Sequence, residues 1–127
     1  MNVQKEVLIF AVNRDNINQD KGYCQAYGIR PENLKHLIGA WEGQMENSYL
    51  VDASFLEEVR RLAKHTNQDS VLYLDANRGA YLLTRETDYR IDEAIHIGRF
   101  ISCSEHYAKQ QQGWTLDPEH GQYYCVI

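Results

Sequence analysis

No run of apolar residues in this chain is longer than residues 7–12, far short of the ~20 that a membrane-spanning helix needs. The residues after Met1 (Asn-Val-Gln-Lys-Glu) lack the apolar core of a signal peptide, so the cytoplasm is the expected location. Cysteine is scarce. Cys24, Cys103 and Cys125 are odd in number and never in C-x-x-C spacing, which argues for reduced thiols rather than a disulfide scaffold or a metal knuckle. Positive charge is in the minority, with 13 Lys and Arg against 18 Asp and Glu, a formal net charge of −5. A general phosphate-backbone binder needs a basic face, so nucleic acid is not an expected partner. Catalytic signatures are absent as well: no H-x-H, no H-E-x-x-H, no G-x-S-x-G and no glycine-rich phosphate loop. No cofactor and no metal is expected.

What is present is an ordinary core, since 43% of the 127 residues are apolar, and an excess of tyrosine, nine in all. One domain over residues 1–127 suits this length. Residues 6–12 read as a buried strand. Residues 13–30 are polar and read as a long irregular segment. Pro31 then opens a short helix with Leu34, Leu37 and Ile38 on one face and Gly39 as its stop. Residues 40–43 and 47–52 form a hairpin. Ser54 is read as an N-cap in a capping box with Glu57, and Phe55, Leu56, Val59, Leu62 and Ala63 make one helical stripe. The main helix is therefore placed at 54–66, with Glu57 and Arg61 paired on its exposed side.

Residues 70–75 and 79–84 make a second hairpin. Residues 94–103 make a strand with Ile95, Ile97, Arg99, Ile101 and Cys103 on one face and a bulge at Gly98. Ser104 caps a short helix through Gln112, and a last hairpin turns at 117–121. The sum is six to eight short strands. It reads as an α+β fold: a mostly antiparallel sheet with one main helix and one or two short ones.

Residues 41–84 carry a denser pattern: Trp41, then Glu46-x-Ser48-Tyr49-Leu50-Val51, a helix with Leu62-Ala63, and Gln68-Asp69-Ser70-Val71-Leu72 entering a strand. It resembles a family of small bacterial and phage domains of unknown function. That resemblance implies a strand–helix–strand unit and an accessory-gene setting, and says little about activity. The family's N-terminal Asn-Pro and Ser are replaced here by Asn13-Arg14.

Two groups of candidate binding residues follow. Glu46, Ser48, Gln68 and Ser70 converge if strands 47–52 and 70–75 lie side by side. They then form either a hydrogen-bonded tie or a small polar pocket, with Glu46 as its acid or base. Tyr23, Trp41 and Trp114 stand in or beside irregular segments, where aromatics anchor interfaces. Cys103 and His96 are seven residues apart, on opposite faces of a regular strand, and a bulge would change that parity. With no catalytic motif, the chain is read as a non-enzymatic protein acting by macromolecular contact, a phage- or mobile-element-encoded modulator of a host defence system. A protein partner or a homodimer covers its aromatics in that reading. The alternative is a small-molecule or nucleotide-binding domain, or a small hydrolase, using the Glu46 group.

Overall fold

The computed structural model describes residues 5–127. Strand β1 (Val7–Ala11) is buried at every residue, so both of its faces are covered. Side chains alternate along a strand, and the two faces feed two separate cores. Val7 and Ile9 join Leu37, Leu74, Ala80 and Phe100, with Leu50, Leu72, Tyr124 and Val126 packed on them. These residues come from strands all around the sheet and fill the inside of a barrel. Leu8 and Phe10 join Tyr49, Val51, Val71 and Leu83 on the outer wall, beneath two helices.

The remaining elements are α1 (Ile17–Ala26), β2 (Lys35–Trp41), β3 (Gln44–Asp52), α2 (Leu56–His65), β4 (Ser70–Leu74), β5 (Gly79–Thr84), β6 (Ile95–Cys103), α3 (Glu105–Lys109), β7 (Gly113–Asp117) and β8 (Gln122–Val126). The strands close into an antiparallel barrel in the order β1-β3-β2-β7-β8-β6-β5-β4. Closure leaves no free sheet edge. This overturns the α+β reading of a mostly antiparallel sheet with one main helix and one or two short ones: the eight strands form a closed barrel and the helices are all short. The pairings that close the ring, β2 with β7 and β6 with β8, join segments far apart in the chain. Among the described residues no helix is long and apolar enough to cross a membrane.

Three local expectations also change. Residues 13–30 are not irregular, because α1 occupies most of them. Its inward stripe is Ile17, Asp20, Cys24 and Tyr27, spaced three, four and three apart, and half of that stripe is polar or weakly apolar. Asn16 caps the helix by accepting from the Gln19 N–H at 2.9 Å. Asp20 is 1% exposed; it accepts from the Tyr49 hydroxyl at 2.7 Å and from the Arg14 N–H at 2.9 Å. Secondly, Pro31 opens only a single 3-10 turn, Pro31–Asn33, after which Lys35 to Trp41 run as strand β2 rather than helix.

Thirdly, the main helix begins at Leu56, after a 3-10 turn. Asp52 caps that turn, accepting from the Ser54 N–H at 2.9 Å, and the helix itself follows Phe55 with no side-chain cap, so Ser54 is not its cap. Its core stripe is as expected, with Val59, Leu62 and Ala63 buried. Glu57 pairs with Arg60 at 2.7 Å rather than with Arg61. In β6 the pairing with β5 shifts register around Gly98, as the glycine predicted. The shift divides the expected face: Ile95 lies opposite inward Leu82, while Cys103 and Ile101 face outward with Tyr123 and Cys125.

Candidate functional site

Antiparallel closure puts the ends of β1, β2, β5 and β8 and the starts of β3, β4, β6 and β7 around one mouth of the barrel. Cross-strand partners share a face, so the inward row can be followed from the core to this rim. On β3 it runs Leu50, Ser48, Glu46. On β2 it runs Leu37, Gly39, Trp41, with Ser48 opposite Leu37 and Glu46 opposite Gly39. On β4 it runs Leu74, Leu72, Ser70, with Ser70 opposite Thr84 of β5. Ile95 of β6 closes the circuit opposite Leu82. Glu46, Ser48, Ser70 and Trp41 thus belong to one mouth, and barrel mouths are a common place for small-molecule sites.

The expectation that strands 47–52 and 70–75 are neighbours is corrected. β1 stands between them, with Ala11 opposite Ser48 on one side and Ile9 opposite Leu72 on the other. The two rows share one mouth through barrel closure and inward parity, with no direct pairing between their strands.

Each group has its own environment. Ser48 is buried, and Gly39 makes room for it: a Cβ on that glycine would lie 2.9 Å from the Ser48 Oγ. Gly113 does the same for Trp41, whose ring lies 2.8 Å from where its Cβ would be. Trp41 is 58% exposed, so most of the indole is open to solvent. Gln68 is a tie. Its amide donates to the Val12 carbonyl at 3.4 Å and the Thr66 hydroxyl at 3.3 Å, and its carbonyl accepts from Asn13 at 3.3 Å. Asn13 sits at φ 59°, a left-handed turn that lets the chain leave β1 sharply at the rim. By contrast, the exposed Glu46 carboxylate has no hydrogen bond or ion pair among the described residues. It is a free charge on the inward-facing row of the mouth; Glu42, on the β2–β3 turn at the same rim, is a second exposed carboxylate.

The three aromatics singled out from sequence do not assemble. Trp114 is paired opposite Ala40, beside Trp41 but on the outer wall, where it meets the Tyr123 ring at 5.4 Å and Lys109 at 5.9 Å. Tyr23 lies on α1 beneath the Arg14 guanidinium at 5.0 Å. Only Trp41 belongs to the mouth.

Two other polar clusters are already satisfied. On the outer wall Tyr73, Tyr81 and His96 form a ring ladder with centroids 5.6 and 4.9 Å apart. The Tyr81 hydroxyl donates to Asp75 at 3.1 Å, and Asp75 also accepts from the Asn77 and Gly79 N–H groups at 2.9 and 2.8 Å. That carboxylate ties the β4–β5 turn. At the far end of the barrel Asp117, Glu119 and His120 have ligand atoms within 4.8 Å of one another. The Lys35 ammonium, however, lies 3.3 Å from Asp117 and 3.2 Å from Glu119, filling the place of a cation. Burial would raise the Asp117 pKa, but hydrogen bonds from His120 and Lys35 and their charges hold it below the usual carboxylate value. Neither cluster was legible in the sequence.

A search of the curated proteins finds no match. A model of the S-adenosylmethionine lyase family matches residues 11–127. The match contains Asn13, Trp41, Glu46, Ser48, Gln68 and Ser70, and the whole of the 41–84 pattern. It corrects the reading of a non-enzymatic protein that acts by macromolecular contact, because this is an enzyme family.

Proposed function

The chain belongs to the S-adenosylmethionine lyase family, and from that premise we propose that it cleaves S-adenosylmethionine at the mouth of its barrel. The observation that carries the location is Glu46, an unpaired carboxylate at the rim of an inward-facing polar row. A lyase breaks a carbon–sulfur bond of the sulfonium without water. The electron pair leaves with sulfur, which becomes a neutral thioether, while the carbon it leaves is satisfied within the substrate, either by attack of the substrate's own carboxylate to close a lactone or by loss of a neighbouring proton to give an alkene, so the sulfonium charge disappears as the bond breaks. A carboxylate pressed against sulfur would therefore favour the ground state over the transition state. The α-ammonium group keeps its charge throughout. Glu46 is best used there, as a positioning residue that fixes the amino-acid end while the bond to sulfur breaks.

The remaining groups suit the rest of the substrate. Trp41 offers an open indole face of the kind on which a purine stacks. Ser48 and Ser70 offer hydroxyls to the ribose or the carboxylate. Gln68 holds Asn13 and the end of β1 in place. The homodimer expected from the exposed aromatics fits the same reading, since a second copy over Trp41 and Ile95 would keep water from the reacting bond. A phage- or mobile-element origin fits it too. Consuming the methyl donor would act on host defence enzymes through chemistry rather than contact.

The test is incubation of purified protein with S-adenosylmethionine, followed by chromatography and mass spectrometry. The reading expects loss of substrate and release of an adenosine-bearing thioether. Substrate surviving intact over many hours with stoichiometric enzyme would overturn it.

A further inference from the structure

Cys103 closes β6 and Cys125 lies in β8, next to it in the barrel. Cys103 is opposite Tyr123 and Cys125 opposite Ile101, so the cysteines stand diagonally across the strand pair on the outer wall. Sheet twist brings one of the two diagonals of such a pair together, and here the sulfurs are 3.0 Å apart. A covalent S–S bond is about 2.05 Å long, so closing it needs roughly 1 Å of side-chain rotation and no change of strand register. We propose that Cys103 and Cys125 are a modification site, a reversible intramolecular disulfide formed by a hydroperoxide oxidant.

The chemistry balances. The Cys103 thiolate attacks a peroxide oxygen, the O–O bond breaks, and hydroxide leaves and takes up the Cys103 proton as water. Cys103 is then a sulfenic acid. The Cys125 thiolate attacks that sulfur, the S–O bond breaks, and hydroxide leaves with the Cys125 proton as a second water. The two sulfurs lose two electrons and the peroxide gains them. The order follows from access. Cys103 is half-buried, whereas Cys125 is buried and its thiol is pushed up to about 12, chiefly by burial and then by the Cys103 contact. Attack therefore begins at Cys103, and Cys125 resolves it. Cys24 is an internal control: it is buried on the inward face of α1, its thiol is pushed up to about 12 by burial and then by the Asp20 charge, and it belongs to the other core.

The bond would clasp β8, the last strand, to β6 and close a loop holding α3 and the β7–β8 hairpin. The full chain is reduced, treated with hydrogen peroxide, and examined by intact mass and peptide mapping. The expected product is a monomer lighter by two hydrogens, with 103 linked to 125 and Cys24 free. Dithiothreitol should reverse it, and its melting temperature should rise by about 10 °C. Cys103→Ser should not form this product, and the wild-type map stands whether or not that variant folds. An oxygen adduct on Cys103 without the link, a cross-linked dimer, or an unchanged mass would each overturn the proposal.

Discussion

Changing Tyr49 to Phe tests the least expected part of the fold, the anchoring of α1 by a carboxylate. Asp20 is 1% exposed and Tyr49 is fully buried, with the hydroxyl donating to the carboxylate at 2.7 Å. The substitution removes one oxygen and leaves the ring packed against Phe10 and His36, whose ring centroids lie 6.1 and 5.8 Å away. Asp20 would then retain the Arg14 N–H at 2.9 Å. A hydrogen bond to a charged group contributes about 1.5–3 kcal/mol, and a buried partner left without it costs about as much. The expected loss is about 2–3 kcal/mol, or a fall of roughly 8–12 °C in melting temperature for a chain of this size.

The same network predicts strong non-additivity. Once Asp20 is Asn, Tyr49→Phe should cost clearly less, because the orphaned acceptor is no longer an anion. The assay is thermal denaturation of the two single variants and the double variant. A Tyr49→Phe protein melting within about 1 °C of wild type would refute the reasoning, since no buried ion would then depend on that hydroxyl.

Leu62→Ala should cost about 2–4 kcal/mol, because Leu62 is fully buried between α2 and the outer wall; a chemical denaturation midpoint checks it. Gln68→Ala should cost about 1–3 kcal/mol by freeing Asn13 and the Val12 carbonyl together, read from the same curves. Asp117 is a depressed carboxylate, so its contribution to stability is full above the ordinary value of 3.8 and is lost as pH falls through its lower folded value. Asp117→Asn should therefore flatten the fall in stability below about pH 4, measured as melting temperature against pH.

Legibility followed how local each signal was. The stripe of α2 and the β4–β5 hairpin could be read because their apolar spacing is contained within a dozen residues. Helix α1 could not, because its inward positions include Asp20, whose partner Tyr49 lies 29 residues away. Strand β2 was mistaken for a helix because Pro31 followed by Leu34, Leu37 and Ile38 matches helical spacing. Leu37 is inward-facing strand, and only its pairing with β3 and β7 decides that. Barrel closure rests on such pairings, so the fold class was out of reach. Some residues of the candidate mouth were nameable from sequence, though not their arrangement. Glu46, Ser48 and Ser70 stood out as polar residues next to apolar strand runs; Ser70 opens β4, whereas Glu46 and Ser48 lie inside β3, and β1 separates the two strands. The reaction was not visible, since exposed carboxylates and serine hydroxyls without a neighbouring base match no catalytic motif.

Whether Glu46 holds the substrate's cationic end at the barrel mouth is decided by the kinetics of Glu46→Gln on S-adenosylmethionine. In that variant kcat/KM should fall by about 10–100-fold, carried mainly by KM because the α-ammonium charge is the same in ground and transition states, with an unchanged melting temperature. A folded variant whose kcat/KM stays within about two-fold of wild type would place the reaction elsewhere on the protein.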